Sequence, residues 1–379
     1  MFGANRAPEF GLVSHALPPG DSGFQHMLEA LLAEIPSEKV ALVGIGNGNG
    51  WGDRARIRLP IRRLPPSFPE SVADAMVTVA SAPIARELLP RVFPNVRRVF
   101  ATLDPTLGIA LAWARAARAE LWVYGIDLHA SAFWGARAFL RGTLVKQRTQ
   151  ALREATRTFA LSSRMADWMV AHGASKPVEV LPPLAEVEAP MPLPEGPPTF
   201  LYSGWVYSAN QRPLGWLERA VADLAPTASL SLMTHASENV LRAAQLDVRR
   251  WRVSRADSAA QVRETVARAT WGIVALDPDY PNRETLKVAW PTKLREYLSV
   301  GRPVLCIAAD DYAAAEITRQ GGWGLVASSE EETRRAVAAA LSESRESLER
   351  RARLAHAFAR ETIDNKIVGA RWRARALES

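Results

Sequence analysis

Along this 379-residue chain, short continuous apolar runs alternate with stretches in which apolar residues recur every three or four positions. Runs of strand length occupy 10–14, 39–43, 97–102, 120–124, 158–163 and 177–183 in the first half. In the second half they fall at 199–203, 229–233, 271–276, 304–308 and 324–326, with a weaker one at 248–253. Unbroken apolar strands are what a parallel sheet buried on both faces requires. The spaced stretches predict helices: one after Gly23 with Met27, Leu28, Leu31 and Leu32 on one side, then 70–77, 83–90, 107–119 and 164–172. Further helices are expected from Pro213, over 258–269, from Pro291 to Gly301, up to Gly321-Gly322, and over 330–342 and 343–360. Strands alternating with helices make an α/β protein. The Pro-rich segment 182–198 can be neither helix nor central strand, so it reads as a surface linker between two domains.

Composition narrows this picture. The length suits two domains of ordinary size. No apolar run approaches the ~18 residues that span a bilayer, and the N-terminus lacks the basic-then-apolar form of a secretory signal. The single cysteine, Cys306, lies inside an apolar strand, which leaves no disulfide framework and no cysteine metal site. The expectation is a cytoplasmic protein. The net charge of +7 is carried mostly by Arg, and 131–157 alone holds six basic residues (Arg137, Arg141, Lys146, Arg148, Arg153, Arg157) against one acid, Glu154. Phe133, Trp134, Phe139, Leu140, Leu144 and Val145 interleave with them. Such a stretch fits the headgroup region of an anionic membrane, at the inner face of the plasma membrane, to which the protein would be peripheral. It also fits single-stranded nucleic acid, or a solvated amphipathic helix packed on its own domain. No nucleic-acid motif accompanies it, so no nucleic-acid partner is expected.

The stretch 289–326 holds the most chemistry. Pro291 suits a helix start, Leu294, Tyr297 and Leu298 form one stripe, and Gly301-Arg302-Pro303 stops the helix. Asp310 or Asp311 can cap the next helix, which Gly321-Gly322 ends. The run from Lys293 to Val304, with Glu316-Ile317 and Gly321-Gly322-Trp323-Gly324 after it, resembles the donor-binding signature of family-4 retaining glycosyltransferases of the GT-B type. The resemblance implies two Rossmann-like domains facing a cleft: 1–184 on the acceptor side and 199–358 for the nucleotide sugar. Residues 185–198 would be the linker, and 359–379 a terminal helix crossing back to the first domain, with Trp372 as its anchor. It implies that Glu296 accepts hydrogen bonds from the ribose, and that Thr292 and Lys293 face the diphosphate at a helix N-terminus, where anions are favoured. Many members carry a second Glu eight positions before Glu296; here that position is Val288. An ordinary βαβ unit with a surface Glu is the bland alternative.

Other candidates lie at strand tips. Ser22-Gly23 resembles the paired-glycine loop that faces the donor in that family, although a plain turn reads equally well. Gly204 matches the glycine loop after the first strand of the second domain, with Ser203 before it, and Arg212 is the best available cation for the diphosphate at an unusual spacing. Arg212 and Lys293 would stabilise a departing nucleoside diphosphate. Asp104, Asp127 and His129 follow two successive strands, where α/β folds place their chemistry. Asp127 could orient or deprotonate an acceptor hydroxyl, or simply cap a helix, with Asp104 and His129 on the acceptor side. Residues 44–53 are Gly-rich but lack G-x-G-x-x-G spacing and precede an Arg- and Pro-rich, non-helical stretch, so they read as a loop. Asp277-Pro278-Asp279 invites a metal, but proline at its centre restrains the carboxylates, and none is expected. The reading is a metal-independent glycosyltransferase taking a UDP- or GDP-linked sugar to a glycan or lipid-linked acceptor, with no other cofactor. A small soluble metabolite as acceptor, or a non-catalytic module of the same fold, are the alternatives.

Overall fold

The computed structural model describes residues 8–14, 23–44, 55–58, 70–103, 106–128 and 138–378, and the chain divides into two compact units. The first takes in everything up to Pro182 together with Gly369–Ser379; the second is Pro183–Val368. The division thus falls just before the expected linker, and the Pro-rich segment belongs to the second unit. Helix 345–362 stays with the second unit as well, so the chain returns to the first only at Gly369.

In chain order the first unit contains β1 (Phe10–Ser14), α1 (Gly23–Leu32), β2 (Val40–Gly44), β3 (Ala55–Arg58), α2 (Glu70–Val92) and β4 (Arg98–Thr102). It continues with α3 (Leu107–Ala117), β5 (Glu120–Gly125), α4 (Ala138–Glu154), β6 (Arg157–Ala160), α5 (Ser163–Ala171) and β7 (Val178–Val180). All strands are parallel, in the order β3-β2-β1-β4-β5-β6-β7. Two expectations change here. The patches 70–77 and 83–90 are one helix, with Pro83 and Pro90 inside it. Each proline forfeits one backbone hydrogen bond, and the packing of α2 along α3 overrides that local penalty. The Arg- and Pro-rich stretch contributes a short edge strand, β3. The Gly-rich loop 45–54 lies outside the described residues.

The second unit runs β8 (Thr199–Ser203), α6 (Ser208–Leu224), β9 (Ser229–Met233), α7 (Glu238–Ala243), β10 (Trp251–Ser254), α8 (Ala259–Ala267) and β11 (Trp271–Ala275). After these come α9 (Arg283–Val288), α10 (Thr292–Ser299), β12 (Val304–Ile307), α11 (Ala313–Gly321), β13 (Gly324–Ala327), α12 (Glu330–Ser342) and α13 (Arg345–Thr362). Its parallel strands are ordered β10-β9-β8-β11-β12-β13. Helix α6 begins five residues before the expected Pro213. Because Pro213 has no N–H to give the Ala209 carbonyl, that carbonyl instead accepts the Asp277 N–H at 2.6 Å. Asp310 and Asp311 do not cap α11, whose N-cap is Tyr312. Asp310 pairs with Arg319, while Asp311 meets Lys287 at 3.1 Å and Arg283 at 3.3 Å.

The last helix, α14 (Ala370–Leu377), belongs to the first unit. Trp372, 2% exposed, stands edge-on to Phe10, Phe100 and Trp122, with centroids 5.9, 5.2 and 6.2 Å away. Arg373 donates to Glu34 (2.8 Å) and to the Ala30 carbonyl (3.2 Å), and Arg375 grips Glu179 at 2.6 Å. An aromatic anchor of this kind is worth more than the ion pairs around it, each of which has at least one solvent-exposed partner. Trp372→Ala should therefore lower stability by about 3–5 kcal/mol, seen as a fall in the urea midpoint of the first unit. An unchanged midpoint would mean that α14 contributes nothing to that core.

Candidate functional site

The second sheet reverses its strand order between β8 and β11, since β8 leads outward to β9 while β11 lies on its other side. In open α/β sheets the crevice beyond the carboxyl ends of the strands at such a point is where ligands bind. Helix α10 sits across that point, and Tyr297 fixes it there. Its ring is fully buried against Gly272 of β11, where an added Cβ would come within 2.4 Å of the ring. Its hydroxyl accepts the Ser203 N–H at 2.9 Å and lies within donating reach of the Leu201 and Ile273 carbonyls, at 3.1 and 3.2 Å. Burial and the nearby Glu296 carboxylate raise the Tyr297 phenol far above its ordinary range, so it stays a neutral hydrogen-bonding group.

The two side chains next to this anchor carry the charge. Glu296 accepts from the Ser203 hydroxyl at 3.2 Å. Lys293, one turn earlier, lies half-buried with its Nζ 3.6 Å above the Tyr202 ring. Gly204 has φ +119°, a conformation that favours glycine, and a Cβ there would stand 3.7 Å from the Lys293 Nζ. Backbone and ammonium therefore approach each other with nothing in between. Burial pushes the Lys293 amine down to about 7 against the opposing pull of Glu296. Thr292 and Lys293 open α10 after the N-cap Pro291, and N–H groups in a first helical turn have no intrahelical partners. A carboxylate, a hydroxyl, a poised amine, bare backbone and a helix N-terminus thus converge at one sheet edge. That set can hold a polyhydroxylated ring on one side and an anion on the other.

The remaining sequence candidates are placed elsewhere. Arg212 is committed to Asp277 and to Asp279 (2.7 Å), with its guanidinium 5.1 Å from the Trp216 ring. The Asp-Pro-Asp pair is thereby occupied by an arginine. Among the described residues no group of three or more His, Cys, Asp or Glu is arranged to hold a metal. Asp127 follows β5 and takes the Leu128 N–H on its own Oδ1 at 2.7 Å, the local turn bond that aspartates commonly make. Gly23 is the first residue of α1; Ser22, Asp104 and His129 lie outside the described residues. Sequence reasoning missed the support of the site. Tyr202 and Asn210 are buried, and the Tyr202 hydroxyl accepts from Asn210 Nδ2 at 2.7 Å. A Tyr and an Asn flanking an apolar strand end were the available signal.

No family model matches the sequence and no curated protein matches it. Solved structures do. HepE from Anabaena in complex with UDP-glucose is similar over 97% of this chain and 98% of its own, with TM-score 0.68 at 11% identity. Sucrose-phosphate synthase from Thermosynechococcus elongatus gives 0.70 at 12% identity, over 98% of both chains. WaaG, a glycosyltransferase involved in lipopolysaccharide biosynthesis, gives 0.65 at 14%, over 98% of this chain and 100% of its own. The chain has the α/β fold of the GT-B glycosyltransferases, built from two Rossmann-like units.

The depressed Lys293 amine has a defined consequence for stability. Its folded pKa lies near 7, below its ordinary value, so between the two the unfolded chain binds more protons and stability rises with pH. Lys293→Met removes the desolvated ammonium. The substitution should stabilise the chain by on the order of 1–3 kcal/mol at pH about 6, with the gain fading by pH about 10. Urea midpoints of wild type and variant across that range test this, and parallel curves would refute the buried-amine assignment.

Proposed function

We propose that the chain is a glycosyltransferase that takes its sugar from a nucleoside diphosphate sugar. The observation that carries this reading is the meeting of Glu296, Ser203, Gly204 and Lys293 at the switch point of the second sheet. Glu296 is held by Ser203 in a position to accept hydrogen bonds from ribose hydroxyls. Lys293 and the first turn of α10 face the diphosphate, and Gly204 lets it approach the backbone. Charge grows on the leaving phosphate as the glycosidic bond breaks, and preorganised donors stabilise that charge most where water is scarce. Lys293 is suited to this role: a neutral or partly charged amine becomes a full ammonium once an anion docks against it. Arg212 supports the site differently from a direct phosphate contact, by bracing the β11 tip against α6 through Asp277 and Asp279.

A metal-free mechanism is supported by the arginine between the two aspartates and by the cation that Lys293 supplies. UDP is the first nucleotide to test, because HepE is described in complex with UDP-glucose. Retention of the anomeric configuration and a glycan or lipid-linked acceptor follow from the family resemblance of 293–324. Melting temperatures with UDP, GDP, ADP, dTDP and CMP, with and without EDTA, test the reading. A ligand at a hundred times its dissociation constant adds ~2.7 kcal/mol. One nucleoside diphosphate should stabilise the chain irrespective of EDTA, and Glu296→Ala should weaken its binding roughly ten- to a hundredfold. No response to any nucleotide would favour the non-catalytic alternative.

The acceptor side carries a second component of the proposal, docking to an anionic membrane. On α4 the buried face is Leu144, Arg148, Ala151 and Leu152, whereas Arg141, Lys146 and Arg153 are exposed. Arg148 lies 4.6 Å from the Trp168 ring and Glu154 pairs with Arg115, so part of the basic stretch serves packing. Lys146 and Arg153 share one exposed side of α4 and Arg141 lies near its start, and each such cation contributes ~1 kcal/mol near an anionic leaflet. No helix among the described residues is long and apolar enough to cross a membrane. Phosphatidylserine vesicles should sediment the protein at low salt, and replacing all three cations by Gln should weaken that binding on the order of a hundredfold. Failure to bind at low salt would remove the membrane from the proposal.

A further inference from the structure

The loop leaving β8 displays two aromatic rings just after Gly204 in the chain. Trp205 is 61% exposed and Tyr207 47%, while Val206 between them is buried at 3%. An exposed aromatic is informative only where its position is fixed, because scattered ones are ordinary. Here the position is fixed. The Trp205 carbonyl accepts from the Tyr202 hydroxyl at 2.8 Å and from Asn210 Nδ2 at 3.1 Å. Asn210 Oδ1 accepts the Tyr207 N–H at 2.9 Å, and both Tyr202 and Asn210 are completely buried. Backbone on either side of Val206 is thus tied to the interior, so the rings stand in solvent on a braced loop. Ordering costs little when a rigid ring is already in place, which is what makes aromatic anchors effective in binding sites.

The order of groups along this strand end says what such a ring would meet. Ser203 is bonded to Glu296, the next residue Gly204 faces Lys293, and Trp205 follows. A nucleoside diphosphate sugar presents ribose, diphosphate and sugar in the same order. The nucleobase would lie beyond the Ser203–Glu296 pair, on the side away from Gly204. The remaining partner for Trp205 is the transferred sugar. A pyranose carries a face of C–H groups, slightly positive, that matches the negative face of an indole. Val288, buried and apolar, offers that sugar no carboxylate.

We propose that Trp205, flanked by Tyr207, is the platform on which the pyranose ring of the donor stacks. This rests on the nucleotide-sugar reading of the site, and the test separates the two. Binding of UDP and UDP-glucose is measured by calorimetry for wild type, Trp205→Ala and Trp205→Phe; GDP and GDP-mannose replace them if GDP is the nucleotide that raises the melting temperature. Trp205→Ala should weaken the nucleotide sugar roughly three- to tenfold while leaving the free nucleoside diphosphate unchanged, and Trp205→Phe should restore most of the loss. Equal weakening of both ligands, or of neither, would overturn the platform and leave the donor site standing. A wild-type chain that binds none of these ligands would overturn the donor site, and the platform with it. The side chain is exposed, so an unchanged melting temperature of the unliganded variants verifies that each is folded.

Discussion

The hydroxyl of Tyr297 is the point on which the second unit's site depends. It reaches the main chain of both central strands, β8 and β11, and thereby sets how deeply α10 enters the sheet edge. Gly272 is the other half of the device, because any side chain there would collide with the ring. Once Tyr297 is seated, helical geometry leaves no freedom for its neighbours. Glu296 is brought to Ser203, and Lys293, one turn back, to Gly204 and the face of Tyr202. A buried aromatic thus gives the Glu296 carboxylate and the Lys293 amine the positional accuracy that flexible side chains on a loop would lack.

The same economy recurs where the chain must be held without regular structure. The Pro-rich segment that opens the second unit has few N–H groups of its own, so its carbonyls are taken up by side chains of that unit. Arg302, fully buried, donates to Met191 (2.9 Å), Pro192 (2.7 Å) and Ala267 (2.7 Å). Desolvation lowers its guanidinium to about 10, which still leaves it charged at neutral pH. Arg295 reaches the Leu184 carbonyl, Arg345 those of Leu193 and Pro194, and His356 that of Glu188. A buried cation is tolerable when its terminal nitrogens are paired in this way, although Arg302 Nε itself is buried without a hydrogen-bond partner. The signature around Lys293 therefore combines two tasks: Glu296 and Lys293 face the site, while Arg295 and Arg302 secure the entry to the unit.

What was legible in the sequence follows from this division. Apart from the Arg-rich β3, the parallel strands announced themselves as apolar runs, and α10 by its proline start, apolar stripe and glycine stop, because these signals are local. The Gly301 stop indeed takes a left-handed φ of +71°. Non-local partnerships were not legible. Nothing near Arg212 in the sequence indicates that it pairs with acids more than sixty positions away, nor that Pro213 sits inside a helix because Asp277 satisfies the carbonyl it orphans. The length of α2 was hidden for a related reason: its prolines speak locally for a break, and only the packing on α3 answers them. Asp127 was readable as a group that orients or deprotonates an acceptor hydroxyl or as a helix cap, and its carboxylate accepts the N–H of the next residue, Leu128.

The electrostatics of the second unit also set the ion-pair cluster at the β11 tip apart from the loop that leaves β8. One guanidinium between two carboxylates leaves Arg212, Asp277 and Asp279 with a net negative charge, which would repel a diphosphate rather than attract it. An anion entering this sheet edge is therefore directed to Lys293 and the start of α10, on the side where Gly204 lies open. The cluster is itself held in place by the Tyr312 hydroxyl, which lies 3.0 Å from the Asp277 carbonyl. On the proposed donor pose the group that follows the phosphates meets Trp205, whose exposed ring can hold a sugar by its C–H face while its hydroxyls remain free to bond.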